Sequence, residues 1–192
     1  MSQTHPDFDI LVLSAGRPHR GETPAVLQKA SLGGRVLDWM LDTYGAQPGD
    51  VTFVAGYQAE EIRAAYPDLR MAVNADWERT GSLQSLLLAT QVGTRPVFVN
   101  YGDVLVRKEL IAQMNDLDAG VIVAVDSTRR DASTSVDKTG REWVSIVDGC
   151  ATRLGYDLEQ DWADAEFVGM VRFSPAAYAQ LSQAAQTPGI LR

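Results

Sequence analysis

The residues best equipped for chemistry sit where apolar runs end. Ser14-Ala15-Gly16-Arg17-Pro18-His19-Arg20-Gly21 follows the aliphatic run Ile10-Leu11-Val12-Leu13. Gly16 lets main chain approach a phosphate closely, and Arg20 with Arg17 supplies positive charge for a triphosphate. Asp103 closes the turn Asn100-Tyr101-Gly102-Asp103 after the run Val97-Phe98-Val99. A carboxylate there can hold Mg²⁺, which takes carboxylates, water and substrate phosphates together. The plainer readings are a strand-to-helix turn with solvated arginines and a turn-stabilising aspartate. His5 and His19 could serve acid–base catalysis, but chemistry at a phosphate beside a metal ion rests on positioning and charge neutralisation more than on a general base. No Ser/His/Asp hydrolase pattern, zinc spacing or Gly-x-Gly-x-x-Gly fingerprint is present.

Such residues need strand ends to hold them. Short aliphatic runs alternate with amphipathic stretches, the pattern of β-α-β units on a mostly parallel sheet. Strands are predicted at Ile10 to Leu13, Val51 to Ala55, Met71 to Val73 and Pro96 to Val99. Helices are predicted at Val36 to Tyr44, closed by Gly45, at Ala59 to Tyr66, stopped by Pro67, and from a Ser82 cap through Ala89. Beyond Asp103 the pattern changes. A helix at Leu110 to Met114 precedes a strand at Gly120 to Val125, then Trp143 to Val147 and Ala151 to Leu154 read as a hairpin on Asp148-Gly149. Phe167 to Phe173 is a last strand before a helix that Pro175 starts, and the polar segment Ser127 to Arg141 reads as a loop or lid. The expectation is an α/β fold with a doubly wound, mostly parallel mixed sheet and a small β-rich subregion. It forms one domain over 1–192, with a ligand-binding half at 1–106 and a second half at 107–192.

Composition narrows the partners. A chain of 192 residues that is 45% hydrophobic suits one domain with a real core. Its formal net charge of −8 argues against polymeric nucleic acid and anionic membrane surfaces as partners. The single cysteine, Cys150, excludes an intramolecular disulfide and a cysteine metal cluster, which favours a reducing cytoplasm. With no signal-like start and no long apolar segment, a cytoplasmic, non-membrane protein is expected.

Leu11 to Arg20 resembles the signature of the nucleotidyltransferase superfamily that includes sugar-phosphate, molybdopterin and phosphocholine nucleotidyltransferases. Ser14-Ala15-Gly16 and Arg20 match, while Pro18 stands where the second glycine is usual. A lysine usually follows a proline shortly afterwards; here Ala25 follows Pro24, and Lys29 is the nearest substitute. Val54-Ala55-Gly56-Tyr57 is similar to the family's second strand with its Gly-Tyr end. Asn74-Ala75-Asp76-Trp77-Glu78-Arg79-Thr80-Gly81-Ser82-Leu83-Gln84-Ser85-Leu86 resembles the segment with which phosphocholine-type cytidylyltransferases enclose base and ribose. There Asn74 can read a base edge, Gly81 allows close backbone approach, and Ser82 offers donors. Tyr101 stands where family members often carry a first aspartate ahead of Asp103.

The resemblance implies a Rossmann-like nucleotidyltransferase fold and transfer of a nucleoside monophosphate from an NTP, CTP favoured. The acceptor is a small phosphorylated or phosphonate compound, and pyrophosphate leaves. Arg20, Asp103 and Lys29 would be catalytic, with Mg²⁺ on Asp103. Ser14, Ala15, Gly16, Arg17, Gly56, Asn74, Gly81 and Ser82 would bind the nucleotide. Glu142-Trp143 and Gly169 resemble strands lining an acceptor pocket, with Arg129, Arg130 and Arg141 available for the acceptor's phosphate. A second metal-binding aspartate is usual beyond the last helix, with Asp157, Asp161 or Asp164 as stand-ins. The alternatives are sugar-1-phosphate transfer and a non-catalytic, nucleotide-binding regulatory domain. Fusion to, or association with, a second catalytic domain is compatible with either.

Overall fold

Ile10 to Leu13 are all buried, as an aliphatic run must be when a strand is covered on both faces. In the computed structural model they form β1 (Asp9–Ser14). The structure describes residues 6–19, 21–30, 33–89, 93–128, 141–158 and 162–185. Those residues form two compact units, one of 1–122 with 172–192 and one of 123–171.

In the larger unit, β2 (Val51–Ala55), β3 (Arg70–Val73) and β4 (Val97–Tyr101) join β1 in the order β3-β2-β1-β4. Each of these pairings is parallel. The registers Ser14↔Ala55 and Leu13↔Tyr101 bring the carboxyl ends of β1, β2 and β4 to one edge. Helix α1 (Val36–Tyr44) buries Leu37, Met40, Leu41 and Tyr44, the i, i+3, i+4, i+7 stripe of a helix with one core face. Gly45 then ends it with φ 64°, a left-handed conformation that glycine adopts without strain. Helices α2 (Ala59–Ala65), α3 (Ser82–Leu88), α4 (Lys108–Asp116) and α5 (Pro175–Ala185) complete the unit. Leu11, Leu13, Val54, Leu86, Val97, Val99 and Tyr178 form one core cluster, and Phe8, Tyr44 and Phe98 meet edge to face.

The smaller unit is built on strands. β6 (Trp143–Val147) and β7 (Cys150–Gly155) pair antiparallel through Asp148 and Gly149, both at positive φ (50° and 75°). That combination is the two-residue hairpin turn that the Asp-Gly pair predicts. β8 (Ala165–Phe173) pairs antiparallel with β6 and also pairs β5 (Val121–Asp126). Trp143, Leu158 and Ala163 are its core. A parallel sheet with helices, followed by a β-rich region, bears out the expected α/β class.

Some element ends differ from those the sequence predicts. β4 runs on to Tyr101, because Asn100 is fully buried and continues the strand rather than opening the turn. Ser82 is the first residue of α3, not its cap; the Gly81 amide donates to Gln84 Oε1 at 3.0 Å and takes the cap position. Among the described residues no helix is long and apolar enough to cross a membrane.

Candidate nucleotide site

A cavity of about 340 Å³ opens in the larger unit, walled by the loop after β1, the segment before α3 and the turn after β4. Ser14, Ala15, Gly16 and Arg17 line one side, Thr80, Gly81 and Ser82 another, and Tyr101, Gly102 and Asp103 a third. This is the carboxyl edge of the parallel strands, where doubly wound sheets bind ligands.

Backbone hydrogen bonds tie the three walls together. The Tyr57 amide donates to Ala15 O at 2.8 Å, the Gly102 amide to Leu13 O at 2.8 Å, and the Asn74 amide to Ala55 O at 2.8 Å. Two glycines permit the closeness. A Cβ on Gly56 would lie 2.5 Å from Ala15 O and 2.7 Å from Trp77 Cβ, and one on Gly102 would lie 2.6 Å from Ser14 Oγ. Gly56 therefore acts beneath the cavity, letting Trp77 seat against the first loop, and is not among the lining residues. Trp77 lines the cavity and meets the Tyr57 ring edge to face, centroids 5.5 Å apart.

Asn74 is placed otherwise than a base reader requires. It is 3% exposed, and its Nδ2 donates to Thr80 Oγ1 at 2.8 Å and Ser85 Oγ at 3.0 Å while its Oδ1 accepts the Asp76 amide at 3.0 Å. With donors and acceptor committed inside the protein, it shapes the wall from behind. Asn100, absent from the sequence-based set, plays a similar part beneath Asp103. Its Nδ2 donates to Tyr101 O and Val104 O, each at 2.9 Å, pinning the turn, while its buried Oδ1 has no partner among the described residues. The signal was a polar residue inside an otherwise apolar strand.

Asp103 is exposed at the cavity and is the carboxylate among its lining residues. No group of three or more His, Cys, Asp or Glu side chains among the described residues is disposed around a metal position. One carboxylate at the cavity wall still fits Mg²⁺, which keeps several waters and completes its shell with substrate phosphates. Arg17 also lines the cavity, its guanidinium 3.4 Å from Glu22 and 5.6 Å over the Tyr57 ring. Lys29 is not brought there. It is exposed, bridges Arg35 through its backbone and does not line the cavity, whereas Ala25 does. Arg20 lies outside the described residues.

In the smaller unit the expected acceptor residues are engaged internally. Trp143 is 6% exposed and packs on Leu158 and Ala163, so it is a core residue and not an acceptor platform. Arg141 pairs with Glu166 at 3.2 Å, both side chains largely buried, which removes its guanidinium from the role of exposed phosphate ligand. Glu142 accepts the Phe167 amide through its backbone oxygen at 2.8 Å and lies near Tyr156. Burial first, then that carboxylate, raises the Tyr156 pKa. Gly169 stands in β8 at φ 82°, a conformation that disfavours a side chain. Of the stand-in metal aspartates, Asp157 pairs with Arg153 at 2.7 Å and Asp164 accepts the Ile146 amide at 2.7 Å. Arg129, Arg130, Asp161 and nearly all of the expected lid lie outside the described residues.

The fold is one shared with nucleotidyltransferases of known structure. Among solved structures, the inositol-1-phosphate CTP transferase of T. maritima superposes with TM-score 0.65 at 16% identity, covering 92% of this chain and 74% of that one. A Bacillus anthracis protein assigned as a glucose-1-phosphate thymidylyltransferase gives TM-score 0.63 at 12% identity, covering 90% and 73%. CTP:phosphocholine cytidylyltransferase (LicC) of Streptococcus pneumoniae gives 0.56 at 15%, covering 92% and 77%. Among curated proteins, the bifunctional protein GlmU of Burkholderia thailandensis is 31% identical over 162 residues, 82% of this chain. The GlmU of Burkholderia pseudomallei K96243 is 31% identical over 150 residues, 76% of this chain. The chain spans about a third of the length of these relatives. No protein-family model matches it. The resemblance to the nucleotidyltransferase superfamily read from the glycine loop onward is borne out.

Proposed function

We propose that this protein is a nucleotidyltransferase that moves a nucleoside monophosphate from an NTP, with CTP as donor, to a small phosphorylated or phosphonate acceptor. The observation that carries this reading is the cavity at the carboxyl ends of β1 and β4, which gathers Ser14 to Arg17 and Asp103 around one space. An acceptor phosphate oxygen attacks the α-phosphorus, the new P–O bond forms in line with the breaking one, and pyrophosphate leaves with the displaced electron pair. Main-chain groups at Ala15 and Gly16 receive the triphosphate, and Arg20 adds charge. Asp103 would hold Mg²⁺, which when bound neutralises phosphate charge. Gly81 and Ser82 form the wall against the nucleoside. Arg129 or Arg130 takes the acceptor's phosphate in this reading.

A sugar-1-phosphate acceptor is the second reading, supported by the glucose-1-phosphate thymidylyltransferase among the structural matches. We further propose that the reaction takes place in the cytoplasm, without a nucleic acid polymer or membrane as partner. The bifunctional relatives favour work beside a second catalytic domain. The test is pyrophosphate release from CTP, UTP, dTTP, GTP and ATP against a panel of phosphocholine, 2-aminoethylphosphonate, inositol-1-phosphate and hexose-1-phosphates. Release requiring CTP and a phosphoalcohol or phosphonate supports the reading; release with a sugar-1-phosphate moves it to the second. Nucleotide binding with no release would leave a regulatory nucleotide-binding domain.

A further inference from the structure

We infer that Asn100 is a positioning residue for Asp103: its side-chain amide clamps both ends of the turn from which that carboxylate reaches the cavity. This rests on the reading of Asp103 as the metal ligand. Strand chemistry calls for an apolar residue at position 100. Asn100 pairs in register with Val12, which is 1% exposed, and alternation along β4 puts it on the same face as Phe98, whose ring meets Phe8 and Tyr44. An amide fully buried there is costly, since it is stripped of water and its Oδ1 finds no partner among the described residues. Against that cost stand two hydrogen bonds, in which Nδ2 donates to Tyr101 O and to Val104 O, each at 2.9 Å.

Those two oxygens are the first and last carbonyls of one turn. The Val104 amide donates to Tyr101 O at 3.2 Å, closing a β-turn over Tyr101, Gly102, Asp103 and Val104 in which Asp103 is third. That bond is at the long end of its kind, so the Asn100 amide, bonded to both ends of the turn, is the firmer closure. The side facing the first loop is fixed as well. The Gly102 amide donates to Leu13 O at 2.8 Å, and a Cβ at 102 would come within 2.6 Å of Ser14 Oγ. Tyr101, Gly102 and Asp103 line the cavity and Asn100 does not, so Asn100 acts through Asp103 and not on a ligand.

Asn100→Val and Asn100→Thr test this, because the two new side chains have nearly the same shape and differ in one hydroxyl donor. Each variant is titrated with Mn²⁺ in the presence of CTP, free Mn²⁺ being read by electron paramagnetic resonance, with Asp103→Asn as the reference for loss of the carboxylate. Urea unfolding verifies that each is folded, and hydrogen exchange is followed at the Val104 amide. Asn100→Val is expected to weaken Mn²⁺ binding about tenfold, the scale of removing a group that orients a metal ligand, and to speed exchange at Val104. Asn100→Thr, which keeps one donor, should fall between Asn100→Val and the parent in both readouts. A role confined to stability would lower the urea midpoint and leave the Mn²⁺ affinity of the folded protein at the parent's value. That result overturns the inference while Asp103→Asn still loses the metal. An equal loss in the two variants also overturns it, since shape and not donation would then be the cause. If instead Asp103→Asn binds Mn²⁺ like the parent, or the parent holds none beside CTP, the metal reading of Asp103 fails and the inference falls with it.

Discussion

The Tyr101 hydroxyl donates a hydrogen bond of 2.9 Å to Ser82 Oγ, joining the last residue of β4 to the first residue of α3. Both residues line the cavity, so this bond links the turn that carries Asp103 to the opposite wall. A phenol that donates its proton to a serine is not an anionic ligand, which leaves the carboxylate role at this turn to Asp103. Tyr101→Phe removes the bond while preserving the ring. The expected cost is about 0.5–1.5 kcal/mol of stability, read by urea unfolding, with NTP affinity weakened a few-fold. Unchanged stability and affinity would show that the bond contributes nothing to the cavity.

Asp103→Asn keeps shape and loses charge. The Asn100 bonds that hold the turn go to backbone oxygens of Tyr101 and Val104, so the fold should survive. Metal-dependent turnover should fall by about a hundredfold or more, with the deficit largest at limiting Mg²⁺. Turnover near the parent's at low Mg²⁺ would remove Asp103 from the metal role.

The framework was legible because its signals are local. Aliphatic runs marked the parallel strands, and Asp148-Gly149 marked the hairpin, found with φ 50° and 75°. Ser14 to Arg17 and Asp103 could be brought together because both stretches terminate such runs, and parallel pairing carries both ends to one edge. What stayed hidden depends on tertiary closure. Nothing in the spacing reveals that Ala25 faces the cavity while Lys29 does not, and alanine carries no chemical signal. Arg141 read as a free phosphate ligand until the fold supplied Glu166, 25 residues away, as its partner. Trp143 has an aromatic face suited to a ligand or to a core, and Leu158 and Ala163 decide for the core.

Gly56→Ala tests the close packing under the first loop. Its Cβ would meet Ala15 O at 2.5 Å, and backbone cannot yield as a flexible side-chain tip can. The variant should lose about 1–3 kcal/mol of stability, and the Trp77 environment should shift in fluorescence spectra of the folded protein. Parent-like stability would mean that the loop relaxes freely.

Alkaline stability follows from Tyr66, whose hydroxyl donates to Asp38 Oδ1 at 2.5 Å. Burial first, then that bond, pushes its pKa from 10.0 up to about 12. The folded state therefore holds the proton more tightly than the unfolded chain. Its contribution is full below pH 10 and is lost as pH rises through 12. Tyr178, also raised to about 12 by burial, acts in the same direction. Urea unfolding free energies measured across this range should fall with pH, and Tyr66→Phe should reduce the slope by about one proton. An unchanged slope would exclude Tyr66 as a contributor.

Asn74→Ala separates shaping a nucleoside wall from reading a base. The side chain gives both amide hydrogens to Thr80 and Ser85 and accepts the Asp76 amide, so its loss uncouples the segment that ends in Gly81 and Ser82. Leaving buried Ser85 without that donor should cost about 1–3 kcal/mol in stability. The disordered wall should weaken CTP, UTP, GTP and ATP by similar factors, since none of them contacts Asn74 directly in this arrangement. Direct base reading predicts the opposite pattern, a large loss for the preferred nucleotide and little for the others. Thermal-shift titrations with the four nucleotides, parent against variant, distinguish these outcomes, because a ligand that binds the native state raises apparent stability according to its affinity. A selective loss of CTP protection would mean that Asn74 turns from Thr80 and Ser85 toward the base when the nucleotide enters.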